Sequence, residues 1–142
     1  MLCEIYRSAK MGTESLLAIM PKVKNDQLRA DITTQLNGYG QFAERAESGL
    51  SRSNVQVKDE KKSKVFAAKT GIAAETMFDS SPSHVAELII RGSEADVVSI
   101  TRTQNEATHG TERISGNTEA YNLCSELIGF ENANIERMKK YL

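Results

Sequence analysis

Apolar residues recur every three to four positions through five segments of the chain, the spacing at which side chains share one face of an α-helix. Pro21 ends the first segment, and Asn25 can cap the second. Gly49 can end the second segment. Ser81 can cap the fourth segment, and Pro82 after it suits the first position of a helix. No segment alternates with the period of two that is typical of a half-buried strand, so the pattern predicts an all-α protein. The predicted helices span residues 2–20, 26–48, 59–78, 82–108 and 118–141.

The same spacing predicts which faces are buried. The fifth segment has the most regular seam, with steps of four and three that are typical of helical bundles. We therefore predict one domain over residues 1–142, an antiparallel four-helix bundle in which residues 59–78 form an additional crossover helix. The predicted inward positions are Leu2, Ile5, Ala9, Gly12, Leu16 and Ile19; Leu28, Ile32, Tyr39, Phe42 and Ala46; Ala86, Ile89, Ile90, Val97 and Ile100; and Cys124, Ile128, Glu131, Ile135, Met138 and Leu142.

The composition is that of a globular protein, with 39% hydrophobic and 26% charged residues. A net charge of −1 argues against nucleic-acid binding, because phosphate neutralisation calls for a basic excess. The first residues lack a basic region followed by an apolar run, and no stretch approaches the ~20 apolar residues that span a bilayer. We therefore predict a cytoplasmic protein that binds neither nucleic acid nor membranes.

Glu131 is the most informative single residue, because it lies on the apolar seam of the fifth segment between Ile128 and Ile135. A carboxylate there needs a partner or has a raised pKa. Gln35 occupies a comparable inward position on the second segment and is the predicted partner. Pairing with a basic or amide side chain, or tilting to the rim, would give Glu131 a structural role. Binding of a metal or a polar ligand is the alternative.

A charged row on the fourth segment supplies further candidates. Glu87, Arg91 and Glu94 follow one another at steps of four and three, which favours intrahelical salt bridges. In the ligand-binding alternative, Glu87 or Glu94 would lie near Glu131.

The chain lacks the ligands of a standard di-iron bundle, which needs a Glu-x-x-His pair on each of two helices. Only two histidines are present. Glu106 and His109 match the pattern at the predicted end of the fourth segment, and His84 precedes Glu87 in reversed order. We predict no metal ligands and no cofactor, although a reduced, carboxylate-rich site stays open. Without a nucleophile elbow or a phosphate loop, no catalytic residue is predicted.

Two cysteines and several glycines complete the candidates. Cys3 and Cys124 form no CxxC pattern, so free thiols are predicted, with a disulfide or reactive thiol as the alternative.

Glycine inside a helix costs up to about 1 kcal/mol relative to alanine. Close backbone approach at helix crossings is the expected reason, above all for Gly12 and Gly92, and room for a ligand or subunit is the alternative. The glycines inside predicted helices are Gly12, Gly38, Gly40, Gly71, Gly92 and Gly129.

The stretches IYRSAKMGTESL at 5–16, PKVKNDQLRADITTQLNGY at 21–39, HVAELIIRGSEADVV at 84–98 and FENANIERMKKYL at 130–142 cover most of the chain. They resemble a family of small helical proteins of unknown function, found in anaerobic gut-type bacteria and assigned to the ferritin-like class. The resemblance implies a helical hairpin, a crossover with an extra helix, and a second hairpin. It implies no activity. The chain departs from the iron-oxidising ferritins in lacking paired Glu-x-x-His motifs.

Two hypotheses from different classes follow. The favoured one is a non-catalytic structural or interaction protein, a homo-oligomer that associates through the small-residue face of residues 59–78 and responds to Ala74→Glu. The alternative is a bundle that binds a metal or a small ligand near Glu131, in which case added iron, manganese or zinc would raise the melting temperature.

Overall fold

The computed structural model describes residues 1–55, 79–109 and 118–142. Within these ranges the chain forms four α-helices and no strand, which confirms the all-α class for this part of the protein. The predicted helix at 59–78 lies outside the described residues. The helices are α1 (Leu2–Ile19), α2 (Asp26–Arg52), α3 (Pro82–His109) and α4 (Thr118–Met138), and 3₁₀ turns follow α1 at Met20–Lys22 and α4 at Lys139–Tyr141.

The predicted helix starts are confirmed by their caps. The side chain of Asn25 accepts a hydrogen bond from the backbone N–H of Leu28 at 2.9 Å, at the start of α2. The hydroxyl of Ser81 accepts one from the N–H of His84 at 3.3 Å, at the start of α3. These caps satisfy backbone donors that have no partner within the helix.

Two predicted helix ends are wrong. Helix α2 continues to Arg52, so Gly49 does not close it. Gly49 is buried against α1 instead, where an added Cβ would lie 2.9 Å from the side chain of Leu2. Helix α4 ends at Met138 and the backbone tightens into the 3₁₀ turn, which moves Leu142 out of the seam to 66% exposure.

Residues from all four helices form one apolar core. The predicted inward faces of α1 and α2 are confirmed, except that Leu2 and Gly12 are half-buried. On α4 the buried face is centred on Leu123, Leu127 and Glu131, and Ile128 and Ile135 are half-buried. The buried hydrophobic residues of α1 and α2 are Ile5, Ala9, Leu16, Ile19, Leu28, Ile32, Tyr39, Phe42, Ala46 and Leu50.

The helices pack around this core in four neighbouring pairs. The closest packing joins α1 to α2 and α3 to α4, and looser packing joins α2 to α4 and α1 to α3. Ion pairs at the surface link α2 to the α4 region: the partly buried Asp31 pairs with Lys140 at 2.8 Å, and the exposed Arg52 pairs with Glu119 at 2.7 Å. Each such pair contributes only about 0.2–1 kcal/mol, so buried apolar contacts dominate the packing. None of the helices in the described ranges has a stretch long and apolar enough to cross a bilayer.

Candidate functional site

A buried carboxyl group lies in the middle of the bundle. Glu131 of α4 is 0% exposed, and Oη of Tyr39 on α2 donates a hydrogen bond to its Oε2 at 2.9 Å. No described residue meets hydrogen-bond geometry with Oε1, although Ser93 and Asn134 lie beside the carboxyl and favour its charged form. The predicted inward position of Glu131 is confirmed. Its partner, however, is a phenol and not Gln35.

Burial controls the protonation of this pair. Loss of water around Glu131 raises its pKa to about 7, and the neighbouring Asp96 pushes in the same direction. Hydrogen bonding from Ser93 and Tyr39 opposes this rise without cancelling it. Burial also raises the pKa of Tyr39 above its ordinary value, so the phenol keeps its proton and stays a donor. Glu131 is thus a carboxyl group that changes charge near neutral pH.

The Tyr39 ring owes its position to a glycine on α1. An added Cβ at Gly12 would lie 2.5 Å from Cζ of the ring, a distance that real Cβ atoms essentially never show. On another side, the ring meets Phe130 edge-on, with centroids 5.1 Å apart. Phe130 in turn occupies the space that a Cβ at Gly38 would need. The expectation that Gly12 serves close packing is confirmed.

A cleft of about 200 Å³ opens between α1 and α3, where these helices pack loosely. Gly92 borders it and is exposed, with no atom within 4 Å of an added Cβ. The expectation of close packing at Gly92 is therefore wrong, because this glycine leaves open space beside the cleft. The residues that line the cleft are Met11, Gly12, Ser15, Leu16, Ile19, Tyr39, Leu88, Ile89, Gly92, Ser93, Ala95 and Asp96.

A second carboxyl group lines this cleft. Asp96 is half-buried, and burial raises its pKa to about 6. Ser8 on α1 favours the charged form of Asp96, and Glu4, one turn earlier, disfavours it. Sequence reasoning missed Asp96. The available signal was its position, three residues after Ser93 and four before the buried Ile100, which puts it on the inward face of α3.

The other predicted site residues lie elsewhere. Gln35 is 0% exposed, and neither of its amide atoms has a hydrogen-bond partner among the described residues. Glu87 and Glu94 are exposed and do not line the cleft, so the structure does not bring them to Glu131. They are seven residues apart on α3 and share a face that is turned to solvent. The predicted intrahelical pairing is confirmed by Arg91, whose Nε lies 3.9 Å from Glu87.

Metal and thiol chemistry find little support in the described ranges. Within them, no group of three His, Cys, Asp or Glu side chains could hold a metal ion. Glu106 is exposed on α3. Cys3 and Cys124 are free thiols, as predicted, and burial raises the pKa of Cys124, which disfavours the reactive thiolate.

We expect Gly92→Ala and Gly12→Ala to change stability in opposite directions. Alanine at Gly92 meets no neighbour and should raise the free energy of unfolding by up to about 1 kcal/mol through helix propensity. Alanine at Gly12 gains the same propensity but displaces the Tyr39 ring, so a net loss of at least about 1 kcal/mol is expected. Urea denaturation measures both. Gly129→Ala, also in open space, should behave like Gly92→Ala, and equal effects at Gly12 and Gly92 would contradict the packing account.

Comparison with known proteins adds no assignment to this site. No protein family, no curated protein and no solved structure matches the chain.

Proposed function

We propose that this chain is a non-catalytic binding protein that takes a small molecule into the cleft between α1 and α3. The observation that carries the proposal is the composition of the cleft. Apolar side chains of both helices form most of its walls, and its polar groups are those of Ser15, Tyr39, Ser93 and Asp96. A concave, mostly apolar site with a few convergent polar groups is the usual form of a small-ligand site.

The ionisable groups around the cleft support the same proposal. Asp96 lines it, and Glu131 is hydrogen-bonded to Tyr39, which also lines it. Both carboxyl groups have raised pKa values of about 6 and about 7. Burying two such groups costs folding energy that apolar residues would not cost. Titratable groups perturbed in this way are concentrated at functional sites, which favours a ligand role over a purely structural one.

We also propose that the bundle has the ferritin-like, antiparallel arrangement. Contacts between early residues of α1 and later residues of α2 and α3 support opposite directions: Leu2 lies beside Gly49, and Glu4 lies beside Ser99. Helices α2 and α3 would then both run opposite to α1. The end of α2 and the start of α3 would then lie at opposite ends of α2, which has 27 residues and is about 40 Å long. Two helices that run in the same direction and are joined by a long connection are a feature of the ferritin-like fold.

The binding proposal is tested with three probes of similar size and different charge: n-butylammonium, n-butanol and butyrate. Ligand-observed NMR measures the affinity of each probe for the whole chain. We expect saturable binding of at least one probe. We expect Gly92→Leu, which adds a side chain at the rim of the cleft, to weaken that binding at least tenfold.

Gly129→Leu is the matched control, because Gly129 is also an exposed helical glycine with open space around it but does not line the cleft. It should leave the affinity unchanged. Absence of saturable binding by all three probes, or equal weakening by both variants, would contradict the proposal.

Three further properties stay predictions. Self-association through residues 59–78 depends on a segment outside the described residues. A cytoplasmic location and a bacterial origin are predictions from the sequence pattern and from the resemblance. Light scattering of wild type and Ala74→Glu measures the first of these.

A further inference from the structure

The charge and shape of the cleft select one class of ligand, an inference that rests on the proposed binding function. We propose that the cleft binds a small organic cation of the alkylammonium type, with its charged head at Asp96 and its apolar chain between α1 and α3.

The polar side of the cleft is lined by one carboxyl group, and a second lies near it. Asp96 lines the cleft, and Glu131 interacts with it unfavourably from α4. Glu4 faces Asp96 from α1 and is itself paired with Arg7 at 3.7 Å, while Ser8 is neutral. Among the described residues that line the cleft, none is a lysine, arginine or histidine. A bound cation would therefore place a positive charge beside these carboxyl groups.

The acid and the bulky apolar residues of α3 lie at opposite ends of its side of the cleft. This side runs from Leu88 and Ile89 to Asp96. Asp96 and Ile89 are seven residues apart on one helix, which corresponds to about 10 Å along its axis. A ligand that reaches both ends must carry its charge at one terminus and apolar atoms at the other.

The volume limits the size of this ligand. A cleft of about 200 Å³ has room for roughly seven water molecules. An alkylammonium ion of about five to seven non-hydrogen atoms fits that space. A metal ion would leave the apolar walls unused, and an anion of the same size would meet the carboxyl group of Asp96, with that of Glu131 nearby.

The test compares the same three probes at pH 8 by ligand-observed NMR, with wild type, Asp96→Asn and Glu94→Gln. We expect n-butylammonium to bind at least tenfold more tightly than n-butanol or butyrate. Asp96→Asn should remove at least tenfold of this preference while leaving n-butanol unaffected. Glu94→Gln removes an exposed acid from the same helix, outside the cleft, and should change nothing.

The affinity for n-butylammonium should also fall as the pH drops from 8 to 5, because Glu131 takes up a proton near pH 7 and Asp96 near pH 6. Tyr39 keeps its proton throughout, and Glu4 is the other acid that faces Asp96. Equal affinity for the charged and neutral probes, or a preference that survives Asp96→Asn, would overturn the cation proposal while leaving small-molecule binding intact. Failure of every probe to bind would overturn both.

Discussion

Raising the pH from 5 to 8 is expected to lower the free energy of unfolding by roughly 2–3 kcal/mol through Glu131 alone. The pKa of this group is about 7 in the folded chain and 4.5 in its ordinary state. Between these values the folded state holds more protons than the unfolded state, so stability is fully present below pH 4.5 and is lost as the pH rises through 7. Asp96, with a pKa raised to about 6, acts in the same direction. Urea denaturation at several pH values measures the slope.

The variant Glu131→Gln isolates the contribution of this carboxyl group. Glutamine keeps an oxygen that can accept the hydrogen bond from Tyr39 but does not ionise, so the pH profile should flatten and the variant should exceed wild type in stability at pH 8. Glu136→Gln, at an exposed position of the same helix, should keep the wild-type slope. A flat wild-type profile, or an unchanged slope in Glu131→Gln, would show that Glu131 is not buried as described.

Tyr39→Phe is expected to cost about 1.5–3 kcal/mol at pH 8 and only about 1 kcal/mol at pH 5. The substitution keeps the ring that packs against Gly12 and Phe130 but removes the donor to Glu131. At pH 8 the lost hydrogen bond is to a charged group, whereas at pH 5 the carboxyl group is neutral. Denaturation curves at the two pH values measure the difference.

Two comparisons make this result specific to the buried pair. In the Glu131→Gln background, Tyr39→Phe should cost the same at both pH values, because nothing is left at position 131 to ionise. Tyr141→Phe removes a hydroxyl that bonds to Asp31 at 2.6 Å nearer the surface, and its cost should stay within about 1 kcal/mol. A loss for Tyr39→Phe that is independent of pH in the wild-type background would argue against a charged Glu131.

The helices and their inward faces could be predicted because a period of 3.6 residues is a local property of the sequence. The same reasoning predicted that Glu131 is buried, because it lies among the apolar residues on the inward face of its helix. Helix ends were less predictable. Gly49 has the chemistry of a helix terminator, but its packing against Leu2 gives it a different role. That contact joins residues far apart in the sequence, so no local pattern predicts it.

The site itself was only half predictable. Tyr39 and Glu131 were both placed on inward faces, but their contact spans 92 positions and depends on how α2 and α4 are aligned. Gln35, the predicted partner of Glu131, lies one turn before Tyr39 on the buried face of α2. The prediction therefore chose the correct face of the helix but the wrong turn. The cleft lies where α1 and α3 pack loosely, and the distance between two helices leaves no periodic pattern in the sequence. Glu87 and Glu94 were predicted near the site because they are carboxylates. Charged rows on a helix usually face solvent, however, and both residues are exposed.

The most direct test of the account is to map the bound probe on the protein by amide chemical-shift changes in a ¹⁵N-labelled sample. We expect the largest saturable changes at Gly12, Gly92, Ser93 and Asp96, on the two helices that border the cleft. Changes centred on another part of the chain, or none that saturate with any of the three probes, would contradict a ligand site between α1 and α3.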